Sequence, residues 1–474
     1  MTTDRETRSN DVHALGMNTR FALLCVGVWL HSADTLVTAT IAPAIVDDLG
    51  AIAYINWTIS LYEVGAIIAG AAAAVMCSRF GIKRVFIGAT LLYGSGCVMG
   101  AVASTMGVLI GGRFVQGMGG GMLLSLCYVA IEAWFTPRRW GRLFAIVSVI
   151  WGAGSLIGPL IGGAFAGRHT WRGAFWAFAI QAAVLSGLAS LLFPTSARVE
   201  KSPKKWPVLP LVVLSVATLV IAQAGAKGGD TAVGVASSLV GCLLGAGLLY
   251  LAARLDRRAQ TRLLPQQLLD FRHPVGAGLL MVFTLSVATT GFWAYGPLIV
   301  KILFGTKPLV TGYILAGEAL AWSLATLAVS SATSSADRWL IRAGAVGVAL
   351  GSAGFAVAVP SGSLVGMVVC GLLQGAGFGL CWPAIVQRIV RSSDPTEQSL
   401  ASASASNVQR IGYAVGTAAV GIAANLSGLA EGVSVAAAKR AGFWVFAAFI
   451  PVLLIGLSSA WVFTNRATPR DRPS

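Results

Sequence analysis

Residues 113–121 read Arg113-Phe-Val-Gln116-Gly117-Met-Gly119-Gly120-Gly121, and residues 372–379 read Leu372-Leu-Gln374-Gly375-Ala-Gly377-Phe-Gly379. The two stretches lie 258 positions apart. At the same spacing Gly154, Gly158 and Gly163 recur as Gly412, Gly416 and Gly421, while the turns Ser78-Arg79 and Asp337-Arg338 recur at 259. Chance coincidence is easy in a chain with 57 glycines, but one spacing shared by three segments is not. It marks a duplicated unit. Six apolar runs occupy about 20–194 and six more begin near 275. The length between them holds two further short runs and a basic loop.

The composition places these runs in a membrane. Of 474 residues, 56% are hydrophobic and only 11% charged, with mean hydropathy +0.77. An ordinary soluble domain is about one quarter charged and needs those groups to cover its surface. Fourteen runs reach roughly the 20 residues that cross a bilayer. The fold class expected is therefore an all-α polytopic membrane protein of two pseudo-symmetric six-helix bundles plus two inserted helices. Its parts are an N-terminal tail (1–19), a first bundle (20–194), a loop (195–206), the inserted pair (207–253), a linker (254–274), a second bundle (275–463) and a C-terminal tail (464–474). The inserted pair is divided by the turn Lys227-Gly-Gly-Asp230.

The net charge of +16 invites a nucleic-acid reading, which the placement of the charge excludes. With the N-terminus inside, 25 of the 34 Lys and Arg fall in inside segments, seven in outside loops and two, Arg113 and Arg410, within spans. That bias puts both tails in the cytoplasm and the chain in the cell (inner) membrane. The seven cysteines lie in or beside apolar runs, with no CxxC pair and no metal-ligand spacing, and read as small packing residues. The stretch to Asn18 is polar and carries acids, unlike a cleavable signal.

The motifs resemble those of the major facilitator superfamily, whose architecture is two parallel six-helix halves. Ser78-Arg79-Phe80-Gly81-Ile82-Lys83-Arg84 is similar to that superfamily's Asp-Arg-x-Gly-Arg-Arg loop, with Ser78 for the Asp and Ile82 for a basic residue. The second-half loop keeps Asp337-Arg338. Arg113-x-x-Gln116-Gly117 resembles its fourth-span motif. Gly154-x-x-x-Gly158-Pro159-x-x-Gly162-Gly163 resembles the fifth-span motif associated with antiporters. Asp34 followed by Pro43, Trp57, Tyr62 and Trp171-Arg172 resemble the fourteen-helix drug:proton antiporter branch, although Glu63 stands where that branch is apolar. The resemblance implies alternating access, export and a proton gradient as the energy source, with no cofactor.

Charges in a hydrocarbon core cost at least a few kcal/mol, about 2.5–3.5 on insertion scales, so each marks a candidate site. A carboxyl in a low-dielectric cavity can exchange protons near neutral pH, which makes Asp34 the leading proton carrier. His31, three residues earlier on the same helix face, could relay that proton. A structural Asp bonded to a neighbouring helix is the competing reading. Glu63 is a second proton site, a contact for a cationic substrate, or a partner for another helix; Glu318 offers the same choice in the second half. Arg113 resembles the family arginine that releases the proton of a nearby carboxyl, and a static ion pair is its alternative. Arg410 is the second core cation. Trp151 and Trp322 lie deep enough to line a substrate cavity, with Trp57, Tyr62, Trp293, Tyr295 and Trp382 as aromatics of either cavity or interface. Glu132 reads as a gating or structural partner of Arg138 and Arg139. Gly154, Gly158, Pro159 and Gly162 allow a close helix contact and a bend. Arg79, Gly81, Lys83, Arg84, Gln116, Gly117, Asp337 and Arg338 complete the conformational motifs. The sequons at Asn56 and Asn425 are read as coincidence.

No nucleophile cluster, metal set or Gly-x-x-x-x-Gly-Lys-Ser/Thr loop is present, which argues against an enzyme or an ATP-driven pump. Repeated polar rings of a channel and a soluble signalling domain are equally missing. The function expected is a secondary active transporter, acting as a monomer in the lipid bilayer on a small amphipathic molecule, with a lipid or metabolite transporter of the same fold as the alternative. The topology is testable with reporters. A green fluorescent protein fused after Ser474 should fluoresce and alkaline phosphatase fused there should be inactive, whereas phosphatase fused after Lys307 should be active. The reverse pattern would invert the chain.

Overall fold

A computed structural model describes residues 2–50, 54–166, 170–194, 208–227, 232–259, 262, 264–329, 332, 336–394, 398–429 and 434–466. The basic loop expected at 195–206, Arg168, the tail beyond Arg466 and the side chains of Glu132, Arg138 and Arg142 lie outside that description. Every long regular element among the described residues is an α-helix. In chain order they are α1 (Thr2–Leu49), α2 (Trp57–Phe80), α3 (Ile82–Ala101), α4 (Met106–Trp134), α5 (Pro137–Ala166), α6 (Trp171–Leu192), α7 (Val208–Lys227), α8 (Ala232–Arg258), α9 (Pro274–Phe304), α10 (Pro308–Ala328), α11 (Asp337–Ala358), α12 (Leu364–Ser392), α13 (Gln398–Leu426), α14 (Val435–Ala447) and α15 (Ile450–Asn465).

Only helices and closed barrels satisfy all backbone groups in lipid, so an apolar chain of this length is confined to helices there. Eleven described helical runs are long and apolar enough to cross a membrane. α14 and α15 supply one of them between them, Val435–Asn465. They part just ahead of Pro451, which cannot donate to a continuing helix. α2 and α7 carry shorter apolar stretches, Trp57–Gly70 and Val208–Ile221. α13 falls in neither group, because Ser404, Ser406, Asn407, Gln409 and Arg410 make its first half polar.

Local chemistry fixes the ends. Thr105, Ser363 and Ser434 cap α4, α12 and α14 through side-chain oxygens that accept from Val108, Gly366 and Ala437 N–H groups. Gly81 turns the chain between α2 and α3 at φ 81°, a region that other residues enter only with strain. This is the glycine of the Ser78–Arg84 motif.

The same pairings occur twice. α2 and α3 pack on α4, α1 on α5 and α3 on α6; α10 and α11 pack on α12, α9 on α13 and α11 on α15. The inserted helices α7 and α8 pack on each other, and α7 also lies against both α2 and α13.

Glycine sets how closely these helices approach. A Cβ on Gly117 would stand 2.1 Å from the Tyr62 carbonyl oxygen and one on Gly121 2.3 Å from that of Ala66. At the repeat positions, a Cβ on Gly375 would meet the Glu318 carbonyl oxygen at 2.0 Å and one on Gly379 that of Trp322 at 2.2 Å. Lipid tails are as apolar as leucine, so such backbone-to-backbone packing replaces the hydrophobic drive of a soluble core. Gly117→Val and Gly375→Val should each destabilise the purified protein by about 3 kcal/mol or more, the upper range for overpacking, seen as a lowered Tm in detergent. Gly187→Ala, at a site with no atom within 4 Å, should leave Tm unchanged.

Candidate functional site

The charged groups singled out from sequence form one buried network. Asp34 of α1 is 1% exposed and Arg113 of α4 is 2% exposed. Arg113 Nη1 donates to Asp34 Oδ2 at 2.6 Å and to Gln116 Oε1 at 2.7 Å, and Gln116 Nε2 donates to Asp34 Oδ1 at 2.8 Å. Both carboxylate oxygens are thereby engaged. Arg113 Nε donates to the Thr58 carbonyl at 3.1 Å, and its guanidinium lies over the Tyr62 ring, 4.2 Å from the centroid. Gln116 Nε2 also reaches Cys97 Sγ at 3.1 Å.

From Tyr62 the network continues toward the other copy of the repeat. Tyr62 Oη lies 2.7 Å from His31 Nδ1, and His31 Nε2 lies 3.0 Å from Arg410 Nη2. A guanidinium has no acceptor, so His31 Nε2 must accept. His31 is then the neutral tautomer with its proton on Nδ1, donated to Tyr62. Arg410 Nη1 pairs with Glu63 Oε2 at 3.2 Å, with the two side chains 18% and 12% exposed. Side chains from α1 and α2 thus meet a single arginine of α13. Trp151 sits edge-on to the His31 ring at 5.6 Å. Gly120 has no side chain where one would stand 2.7 Å from Tyr62 Oη and 2.8 Å from His31 Nδ1.

The second copy of the repeat is built differently. Gln374, the counterpart of Gln116, donates from Nε2 to Glu318 Oε1 of α10 at 2.7 Å and accepts from Ser352 Oγ at 2.8 Å. Gly371 stands at the position of Arg113, and Phe292 fills the space, 3.4 Å from where a Cβ would be. The glutamine is retained, while the carboxyl reaches it from α10 instead of α9. Trp322 stacks on Phe378 at 4.8 Å with Trp382 nearby at 6.2 Å, a separate aromatic group beside the Glu318 helix.

The fifth-span glycine motif divides between two neighbours. Gly154, Gly158 and Gly162 lie against Ser32, Leu36 and Thr40 of α1, while Pro159 and Gly163 meet Gly312 and Leu309 of α10. These α10 contacts lie at one end of the molecule. At that end Lys301 also pairs with Asp47, Asn56 packs on Gly421, and Ser60 Oγ donates to the Ala414 carbonyl at 3.4 Å. Asn56 is fully buried, so its sequon presents no accessible amide here. At the opposite end, Arg79 and Arg84 are exposed and Lys83 half-buried. Asp337 is buried and accepts from Arg391 at 2.9 Å, with Arg338 exposed beside it.

The structure therefore brings together Asp34, Arg113, Gln116, His31, Tyr62, Glu63, Arg410 and Trp151, and places Glu318, Trp322, Asp337 and the loop basics apart from them. Four contributors escaped the sequence reading: Cys97, Gly120, Ser352 and Gln374. Gln374 was legible in principle, since it occupies the repeat position of Gln116.

The chain is similar in sequence and fold to known transporters. The family model described as Major Facilitator Superfamily matches residues 24–336. A probable multidrug-efflux transporter of Mycobacterium tuberculosis is 29% identical over 470 residues, covering 95% of this chain and 94% of that protein. Multidrug resistance protein 3 of Bacillus subtilis is 22% identical over 413 residues, covering 85% and 79%. Among solved structures, a bacterial homologue of the human lysosomal transporter Spinster, inward-facing and unoccupied, aligns with TM-score 0.67 at 13% identity over 97% of this chain and 99% of its own. A D-xylose–proton symporter aligns with TM-score 0.65 at 15% identity over 94% and 96%.

Removing one partner of a buried ion pair leaves the other uncompensated, at a cost of about 3–5 kcal/mol. Arg113→Ala and Asp34→Asn should accordingly each lower Tm, the first by leaving a buried carboxyl and a cavity, the second by leaving a guanidinium that cannot lose its charge. The double variant Asp34→Asn/Arg113→Gln should recover part of the loss, measured by thermal unfolding of the detergent-solubilised protein. An unchanged Tm in both single variants would show that the pair does not control stability.

Proposed function

This chain belongs to the Major Facilitator Superfamily, and we propose that it is a proton-coupled antiporter that exports small amphipathic, drug-like molecules by alternating access. It is a multi-pass membrane transporter of small molecules and not an enzyme. The proposed architecture is the fourteen-helix branch, six, two and six spans with both termini cytoplasmic, in which two bundles rock about a central site. The duplicated helix pairings support that arrangement, and the resemblance to a probable multidrug-efflux transporter of Mycobacterium tuberculosis supports drug-like cargo.

The observation that carries the reading is the continuous network from Asp34 to Arg410. A proton on Asp34 removes the charge that holds Arg113 and leaves the guanidinium to Gln116, the Thr58 carbonyl and the Tyr62 ring. A proton on His31 converts Nε2 from acceptor to donor, so that imidazolium faces guanidinium and the Arg410 contact is lost. The first event loosens α1 from α4, and the second weakens what joins α1 to α13. Glu63, Trp151, Glu318, Trp322 and Arg410 are proposed to line the substrate path. Arg79, Gly81, Lys83, Arg84, Asp337 and Arg338 are proposed to act at one end as conformational motifs, with Gly154, Gly158, Pro159 and Gly162 sealing the other. The protein is taken to work as a monomer in the inner membrane with no cofactor.

Lipid transport on the same fold is the second reading. An apolar cavity of about 350 Å³, bordered by Pro210, Leu214, Leu249, Phe283 and Ile411 between the inserted helices and α9 and α13, favours it.

Proteoliposomes test both. An imposed pH gradient should drive accumulation of a cationic dye, and Asp34→Asn should lower the driven flux by about tenfold or more, a coupling loss of at least about 1.4 kcal/mol. Gradient-insensitive dye flux with rapid fluorescent-lipid movement would favour the second reading.

A further inference from the structure

Two carboxyls and two guanidiniums balance in the buried network, Asp34 with Arg113 and Glu63 with Arg410. Glu318 is left over. It is 3% exposed, and among the described residues no salt bridge reaches it. The repeat explains why. The first node holds its carboxylate against Arg113, whereas the second has Gly371 at that position and the Phe292 ring in the space.

The surroundings of Glu318 are polar but neutral. From α12, Gln374 donates to Oε1. From α9, the Trp293 indole lies beside the carboxyl and the Thr289 carbonyl accepts from Gln374 Nε2 at 3.5 Å. From α13, Tyr413 is within electrostatic range of Glu318 on one side and of Glu63 and Arg410 on the other. α1 and α5 also pack on α10 but place no charged or titratable side chain among the groups acting on the carboxyl. Among the described residues, no group lies within close hydrogen-bond geometry of Glu318 Oε2.

The hydrogen bonds orient the site. The Thr289 carbonyl can only accept, so the amide turns Nε2 toward it and Glu318 and leaves Oε1 to accept from Ser352. Glu318 Oε1 is thereby an acceptor, and a proton has only Oε2 to occupy. A buried carboxylate without a cation is the costliest state available to it, and the neutral acid avoids that state.

We propose that Glu318 Oε2 is a proton-exchange site, a second coupling carboxyl located in the copy of the repeat that lacks the Asp–Arg pair. It rests on the antiport reading for its role in transport, though not for its chemistry. In the conformation seen, Oε2 holds the proton. When α10 and α12 reopen the site to water, the O–H bond breaks heterolytically, the proton leaves to that water, and the anion gains solvent or the positive group of a substrate.

Infrared spectroscopy of the purified protein, with isotopically labelled glutamate to separate Glu from Asp, tests the assignment without substrate. A protonated-Glu carbonyl band should titrate in the wild type, vanish in Glu318→Gln and persist in Glu63→Gln. Glu318→Gln preserves shape and a group able to face Gln374, and an unchanged Tm serves as its folding control. In proteoliposomes the same variant should move fewer protons per substrate. If the band titrates unaltered in Glu318→Gln, the proposal is wrong. If the band behaves as expected but no pH gradient drives wild-type flux, the proton site stands and the antiport reading falls.

Discussion

A charge that leaves water must find an opposite charge or give up its ionisation, and in this protein that constraint organises the interior. Arg113 satisfies it in one tight cluster with Asp34, Gln116 and the Thr58 carbonyl. Arg410 satisfies it with groups from a remote part of the chain, Glu63 and His31. The two solutions differ in kind. The first is almost sealed, and its partners come from helices that glycine contacts hold together. The second is partly exposed and spans helices joined mainly through side chains. A network of this form is strong within one copy of the repeat and weaker between copies, as the alternating access proposed for it would need.

Close packing is the other half of the design. Without a hydrophobic effect between helices in lipid, contact depends on shape, and the glycines of α4 and α12 supply it on two faces at once. Gly117 and Gly121 face α2, while Gly119 faces Tyr93 of α3. Gly375, Gly377 and Gly379 repeat the pattern on α10 and α11. Those contacts also set where polar groups stand: Gly117 meets the backbone of Tyr62 and Gly375 that of Glu318, the two residues whose side chains then enter the two nodes.

Much of this was legible in the sequence, for a physical reason: helix-length apolar runs, bare glycine faces and isolated core charges are all local signals. The pairings were not. Glu63 and Arg410 are 347 positions apart, and nothing short of packing selects that partner over Asp34. The asymmetry of the nodes was hidden by register. Gln374 follows Gln116 at 258, but Ser286 takes the place of Ser32 against Gly412 at 254, and Glu318 takes the place of Tyr62 against Gly375 at 256. Turns of different length make the repeat drift, so a single spacing shows the glycines and conceals that Ala288 answers to Asp34. The split of the fifth-span motif between α1 and α10 was likewise invisible, because a one-dimensional spacing does not say which face meets which neighbour.

The contact of α7 with both α2 and α13 has a consequence for access from the side. The two seams between the copies of the repeat, α2 with α13 and α5 with α10, would be equivalent in a perfectly duplicated molecule. Among the described residues, an inserted helix lies against one seam and not against the other. A molecule dissolved in the bilayer leaflet thus meets two unlike flanks, and the protein has a left and a right that its internal symmetry would otherwise forbid.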